Sequence, residues 1–434
     1  YLVQTRLESG TTPSVHTVDP SIVSPGANMT TTHNPDPHST AMGAPEGMER
    51  CPIMSTYAAP SIRFVEGAGS WLTDREGKRY LDLLSGLAVT SLGHAHPAVA
   101  EAVAAQAQRL VHTSNLYATE HAAPVAQTLD RLLGGGGQVF FANSGAEANE
   151  CAMKLARKWA GHGRYVVVSA YGSFHGRTMA TLAATGQPAK HEPFAPMPEG
   201  YRHVAWADLA HLESAIDETV AAVIIEPIQG EGGVHPAETE YLAGIRRLCD
   251  ERNLLMILDE VQTGLGRTGA WFGFQHAGVA PDVVTIAKAL GNGVPISACW
   301  ARAEVAAAFR PGDHGSTFGG NPLCTAAARA TLEVMEDEDV PARAARAGAL
   351  LRGGLSALAG VAEVRGAGLL LAAELDGIDA GPVAADLLAA GVIVNAVTPT
   401  ALRLAPSLLI SDEEIEEATD RIGAVLDAHR AGGD

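Results

Sequence analysis

Five short apolar runs, with helix-like stretches between several of them, do most to limit what this chain can fold into. They are Gln138–Ala142, Tyr165–Ser169, Ala222–Glu226, Leu254–Asp259 and Val283–Ala287, and helical spacing appears at Ala146–Trp159 and Glu240–Arg252. Strands apolar on both faces and separated by helices predict a mostly parallel sheet covered by helices on both sides, an α/β architecture. Upstream, IRFVEGAGSWLTDREGKRYLDLLSG reads as short strands with glycine-containing turns, and Pro97–Leu110 as a helix with proline in its first turn. Beyond Phe318 the pattern changes. Ala-rich helical stretches at Ala326–Glu336 and Pro341–Leu358 precede short strands at Val361–Arg365, Leu369–Glu374 and Leu402–Ala405, which predicts a smaller α+β domain. The expected organisation is a leader over 1–55, an N-terminal segment joining the small domain over 56–100, a large domain over 101–317 and the small domain over 318–434.

The leader is rich in Ser, Thr, Pro and His without apolar periodicity, so it is expected to be disordered. It has neither the basic start nor the apolar stretch of a signal peptide, and Arg6 and Arg50 are too few for a transit peptide. Because the first residue is Tyr1, part of the leader is expected to lie outside the native protein, with Met29, Met42, Met48 and Met54 as candidate starts. With 30 basic against 49 acidic residues the formal charge is −19, which argues against nucleic acid as a partner. Cys51, Cys151, Cys249, Cys299 and Cys324 form no CxxC pair and read as free thiols in a reducing compartment. No apolar run reaches the roughly 20 residues of a membrane span. A cytoplasmic protein without a membrane partner is expected.

Ligands of open α/β sheets sit beyond the carboxyl ends of the strands. The first apolar run stops at Asn143-Ser144-Gly145, where a helix begins. Its free N–H groups suit a phosphate, although a serine before a helix is by itself only a cap. The fourth run ends in Asp259, a candidate functional carboxylate or a helix cap. A metal is not supported there by any HExxH or acidic repeat. The fifth is followed at once by Lys288, which closes DVVTIAK. A lysine closing an apolar strand is costly unless paired or chemically altered, and a Schiff base converts the amine to an imine. An acid and a lysine on nearby strand tips suit pyridoxal 5'-phosphate, which needs a carboxylate on its ring nitrogen and a lysine on its aldehyde.

NSGAEANE, FHGRT, EPIQGEGG, LDEVQTGLGRTG, the lysine of TIAKALGNGVPI, and HGSTFGGNP follow one another in this order. Together they resemble the class III, fold-type-I aminotransferases, and within that class the acetylornithine-using branch, from about Tyr57 to the C-terminal region. The resemblance implies a pyridoxal-phosphate transferase whose large domain, 101–317, binds the cofactor. Lys288 would carry the cofactor and shuttle a proton. Asp259 would pair with the ring nitrogen, Gln262 would bond the ring oxygen and Phe174 would stack on the ring. Ser144, Gly145 and Ala146 would hold the phosphate; many members have Thr where Ala146 stands, at the loss of one hydroxyl contact. Thr317 would complete the phosphate site of the neighbouring subunit, which makes a homodimer obligatory. Arg177 would take the carboxylate far from the reacting carbon, Ser316 would touch the substrate, and Arg403 would bind the α-carboxylate of glutamate. Glu231 would cover Arg403 when a δ-amino substrate is bound.

The reaction so implied is ping-pong transfer of the δ-amino group of N2-acetyl-L-ornithine to 2-oxoglutarate, giving the semialdehyde and L-glutamate, a step of arginine biosynthesis. Leu87, where ornithine aminotransferases have Tyr, and HTSNLY at 112–117 favour the acetylornithine branch. Succinylornithine, succinyl-diaminopimelate, ornithine and GABA stay open as alternative amino donors, and a class III mutase or racemase as an alternative enzyme. His94, His96 and His175 read as hydrogen-bonded structural residues rather than metal ligands, and Glu226 as a buttress. A Rossmann-type dehydrogenase would need GxGxxG opening the first helix, which NSGAEA does not supply.

Overall fold

The computed structural model describes residues 53–431; most of the expected leader therefore lies outside the described residues. The chain divides into two units at Ile62/Arg63. The described part of the first unit, 53–62, contains neither helix nor strand. Everything that follows concerns the second.

Strands β1 (Phe64–Ala68), β2 (Trp71–Asp74) and β3 (Arg79–Asp82) form an antiparallel meander at the start of this unit. The central sheet collects β4 (Gly137–Ala142), β5 (Val166–Ala170), β6 (Tyr201–Val204) and β7 (Val220–Ile225). A short hairpin, β8 (Ile228–Gln229) and β9 (His235–Pro236), follows β7. The sheet is completed by β10 (Leu255–Asp259), β11 (Val283–Ile286) and β12 (Ser297–Arg302), in the order β4-β12-β11-β10-β7-β5-β6. The run from β11 to β6 is parallel throughout, and β12 is antiparallel to both its neighbours. The expected mostly parallel sheet is thus present, as a mixed sheet.

The apolar character of these strands has a direct cause. Successive side chains point to opposite faces, and both faces are covered. Val167, Ala222, Ile224, Leu255, Ile257 and Val283 pack in one layer with Cys151, Ala152 and Leu155 of the helix Gly145–Ala160. Their neighbours Val166, Val168, Val223, Ile225, Met256, Leu258 and Val284 belong to the main core on the other side. Polar positions in such strands stand out, and they cluster where the strands end.

The C-terminal part builds an antiparallel sheet of β13 (Val361–Ala367), β14 (Leu370–Leu375), β16 (Asn395–Ala396) and β17 (Ala401–Leu404), ordered β13-β14-β17-β16. Strand β15 (Val392–Ile393) leaves it to pair in parallel with β3. Several elements were not expected. Residues 297–302, to which no strand was assigned, form β12; β6, the β8–β9 hairpin and the helices Ala122–Leu132 and Asp412–Ala431 were not anticipated either. Lys288 was expected to close its strand, but β11 ends at Ile286 and Lys288 opens a short 3-10 turn with φ 44°. Among the described residues no helix is long and apolar enough to cross a membrane.

Candidate functional site

Strands β10 and β11 lie side by side, with Asp259 opposite Thr285, so Asp259 and Lys288 leave neighbouring strand tips. Asp259 is buried, 4% exposed. Its Oδ2 accepts from Asn149 Nδ2 at 2.8 Å and lies 2.8 Å from His175 Nδ1; its Oδ1 accepts from the Val261 N–H at 3.1 Å. Asn149 is locked in turn, donating to the His175 carbonyl at 2.8 Å and accepting from the Thr285 hydroxyl at 2.7 Å. Sequence reasoning did not single out Asn149. Its signal was available, because an asparagine on the apolar face of an amphipathic helix is disfavoured unless a buried partner holds it.

Lys288 opens onto the same cavity as Asp259. Its left-handed backbone is a conformation that costs a non-glycine residue about 1–2 kcal/mol. Burial of the amine pushes it down to about 8, against the opposing pull of Glu231, Asp259 and Glu226. Glu226 is also buried, and its Oε2 accepts from the Phe174 N–H at 3.2 Å. Burial, and then the nearby Asp259 charge, holds its carboxyl well above the usual range.

On the same cavity, Ser144 caps the helix Gly145–Ala160 by accepting from the Glu147 N–H at 3.3 Å. Glu147 reaches back to the Asn143 N–H at 2.8 Å, a reciprocal cap. The first-turn N–H groups of Gly145 and Ala146 have no partner within a helix and front the cavity. A Cβ on Gly145 would stand 2.9 Å from Val261, so this turn can lie against the strand-tip loop only as glycine.

Arg403, on β17, is 1% exposed. Its Nε donates to Asn395 Oδ1 at 3.1 Å, and its Nη1 pairs with the Glu231 carboxylate. Burial raises the Glu231 carboxyl, but the Arg403 guanidinium outweighs it and the net shift is downward. Glu231 and Gln262 both line the cavity. Gln262 Oε1 is buried without a hydrogen-bond partner. Phe174 and the exposed Arg177 also line the cavity, with the Arg177 guanidinium 5.4 Å from the centre of the Phe174 ring.

The cavity measures about 410 Å³, within the usual range for small-molecule sites. It brings together Lys288, Asp259, Ser144, Gly145, Ala146, Phe174, Gln262, Arg177 and Glu231. Ser316 and Thr317 are outside its lining. Ser316 accepts from Asn143 Nδ2 at 3.1 Å, one residue before the Ser144 cap. Thr317 is exposed in a separate groove with His112, Asn115 and Asn321. Leu87 does not line the cavity either; Val89 does. Leu87 belongs to a left-handed turn, Ser85 to Ala88, with φ of 50°, 60°, 70° and 61°. Asp82 Oδ1 pins the start of this turn by accepting from the Leu84 and Ser85 N–H groups, each at 2.9 Å.

His175 and His94 are hydrogen-bonded as expected, His94 to Asp82 at 2.8 Å, but the expectation fails for His96, whose buried Nδ1 has no hydrogen-bond partner. Among the described residues no three metal-ligating side chains converge. The donor set instead fits a flat phosphorylated aldehyde. It offers a lysine amine, a fixed buried carboxylate, an unsatisfied amide oxygen and a helix N-terminus.

A family model described as aminotransferase class-III matches residues 54–426. An acetylornithine aminotransferase of Corynebacterium efficiens is 50% identical over 388 residues, 86% of this chain and 94% of the relative. One from Methanothermobacter thermautotrophicus is 48% identical over 383 residues, 87% of this chain and 97% of the relative. Among solved structures, the ornithine aminotransferase from Toxoplasma gondii superposes with a TM-score of 0.83 at 36% identity, covering 88% of this chain and 93% of that one. The N-acetylornithine aminotransferase from Stenotrophomonas maltophilia superposes at 0.75 and 36% identity, covering 86% and 97%.

Proposed function

The chain belongs to the class III aminotransferases, and we propose that it transfers the δ-amino group of N2-acetyl-L-ornithine to 2-oxoglutarate with pyridoxal phosphate held on Lys288. The observation that carries this reading is one cavity that joins Lys288 and Asp259 on adjacent strand tips to Glu231, the carboxylate that covers Arg403. The names of the relatives at 46–50% identity support the substrate.

Pyridoxal phosphate, when bound, supplies an aldehyde for the substrate amine and a protonated ring that takes up the electron pair left on the substrate carbon. Asp259 would keep the ring nitrogen protonated, and its own network leaves it little freedom to turn away. Gln262 has an oxygen free for the ring hydroxyl. Ser144, Gly145 and Ala146 would hold the phosphate through a hydroxyl and the helix N–H groups. Ala146 supplies the backbone donor alone. The Lys288 amine, lowered to about 8, can accept a proton at Nζ and return it near neutral pH.

Arg177 would take the distal carboxylate in both half-reactions. Arg403 would take the α-carboxylate of glutamate once Glu231 leaves it, and Glu231 would return when the amino donor brings no carboxylate to that end. Thr317 would reach the neighbouring subunit's cofactor phosphate in a homodimer. Its exposure, and that of Leu116, Tyr117 and Phe318 at 83%, 71% and 59%, supports an interface there. The deciding experiment compares kcat/KM for acetylornithine, succinylornithine, succinyl-diaminopimelate, ornithine and GABA with 2-oxoglutarate as acceptor. Acetylornithine is expected to lead; a preference for GABA or free ornithine would overturn the assignment.

A further inference from the structure

Glu231 stands in the tip of the β8–β9 hairpin, Gly230 to Val234, where three of five residues are glycine. Gly233 has φ 123° and Val234 φ 57°. Such a tip determines its own shape poorly. Something outside it must set where the Glu231 carboxylate stands.

Arg365, on β13, makes that contact. Its Nε donates to the Gly233 carbonyl at 2.8 Å, two residues from Glu231. Its Nη1 bonds Glu374 Oε2 at 2.7 Å, across the β13–β14 pair, and its side chain is only 12% exposed. Glu374 also accepts from the Thr400 hydroxyl and stands opposite Ala401 in the β14–β17 register. Thr400 immediately precedes β17, the strand of Arg403. One guanidinium therefore ties the carrier of Glu231 to the strands that carry its partner. Arg365 itself does not line the cavity.

We propose that Arg365 is a positioning residue for substrate selection. It fixes Gly233 against the β14–β17 pair, so that the Glu231 carboxylate returns to Arg403 whenever the substrate leaves that guanidinium unmatched. The glycines let Glu231 swing out for glutamate, and Arg365 sets the position to which it comes back. A lysine could reach the Gly233 carbonyl or Glu374, but it lacks the planar fork that holds both. This inference rests on the Arg403–Glu231 exchange proposed above, and it assigns that exchange a residue outside the site.

The test measures the two half-reactions of the holoenzyme separately, with acetylornithine and with glutamate, in single turnover. In Arg365→Gln the apparent affinity for acetylornithine should fall about tenfold, the size of one charge-assisted hydrogen bond, while its maximal rate and the glutamate affinity stay within about twofold. Arg365→Lys should lie between Gln and wild type, and Glu374→Gln should shift the same ratio by less. Glu231→Ala should show the same bias, and adding Arg365→Gln to it should shift the ratio no further. Amide exchange over 229–236 should quicken in Arg365→Gln. Equal loss in both half-reactions, no change in either, or a loss that adds to that of Glu231→Ala overturns the role of Arg365. If Glu231→Ala itself leaves the ratio unmoved, the exchange falls, whatever Arg365 does. Should Arg365→Gln fail to fold, the Arg365→Lys and Glu374→Gln variants decide by the same ratio.

Discussion

Two of the carboxylates that act on Lys288, Asp259 and Glu231, are held in opposite ways. Asp259 is buried, and its oxygens are engaged by Asn149, His175 and the Val261 N–H, each group fixed by further bonds or by the strand. Turning it would break several hydrogen bonds made by a buried carboxylate. Glu231 has a side chain 31% exposed, one guanidinium partner, and a glycine on each side. Moving it costs one ion pair, and solvent is near. The difference matches the partners proposed for them. A ring nitrogen is the same in both half-reactions, so its carboxylate gains from being immobile. The guanidinium of Arg403 would meet a substrate carboxylate in one half-reaction and none in the other, so its proposed partner would have to come and go.

The comparison breaks most visibly at its shared neighbour. Lys288→Ala should lose about 10⁴-fold in kcat, the upper size of a positioned acid–base group, because neither carboxylate can substitute for the amine. The purified wild-type protein should be yellow with a band that borohydride abolishes. A borohydride-reducible band persisting in Lys288→Ala would count against the assignment.

The depressed amine of Lys288 also has a stability consequence in the cofactor-free protein. Its folded value is about 8 against an ordinary 10.5, the result of burial. Between those two pH values the unfolded chain binds more protons than the folded one, so stability must rise with pH across that window. Lys288→Met should flatten the rise, by an amount on the order of 3 kcal/mol. Urea denaturation of both proteins from pH 7.5 to 10.5 measures it; identical slopes would mean the amine is not desolvated.

Arg403→Ala tests the mobile half of the comparison. It should weaken glutamate by about 100-fold, as expected for losing a charge-assisted pair, and acetylornithine by much less. Equal damage to both half-reactions would refute the exchange.

The immobile half of the site was largely legible in the sequence. Asp259 ends one apolar strand and Lys288 follows another two residues past its end, and a buried charge at such a place demands an explanation. Arg403 was legible for the same reason, as a guanidinium inside the apolar run ALRLAP. The helix after Asn143 announced itself through Ser144 and Gly145. What periodicity could not show was direction and distance. SACWAR gives no sign that β12 runs against its neighbours, because an apolar strand reads alike either way. The left-handed turn at 85–88 breaks local preference at Ser85, Leu87 and Ala88, so only the tertiary structure reveals it. Arg365 reads as an ordinary strand arginine until its fork is seen spanning Gly233 and Glu374.

Asn149 sharpens the comparison with the smallest expected change. Its side-chain hydrogen bonds run to Asp259, Thr285 and the His175 carbonyl; its work is to hold Asp259 Oδ2 from the helix side while Thr285 holds it in turn. Asn149→Ala would leave His175 and the Val261 N–H on Asp259, so the carboxylate should loosen rather than leave. Cofactor affinity, titrated by absorbance on the cofactor-free protein, should drop about tenfold, in line with one buried hydrogen bond to a charged group. The ratio of the two half-reactions should not move, because ring and nitrogen are common to both. Glu231→Ala should do the reverse, shifting the ratio and sparing cofactor affinity. If Asn149→Ala shifts the ratio, or Glu231→Ala loosens the cofactor, the two carboxylates are not independent, and the division between a fixed and an exchanging partner fails.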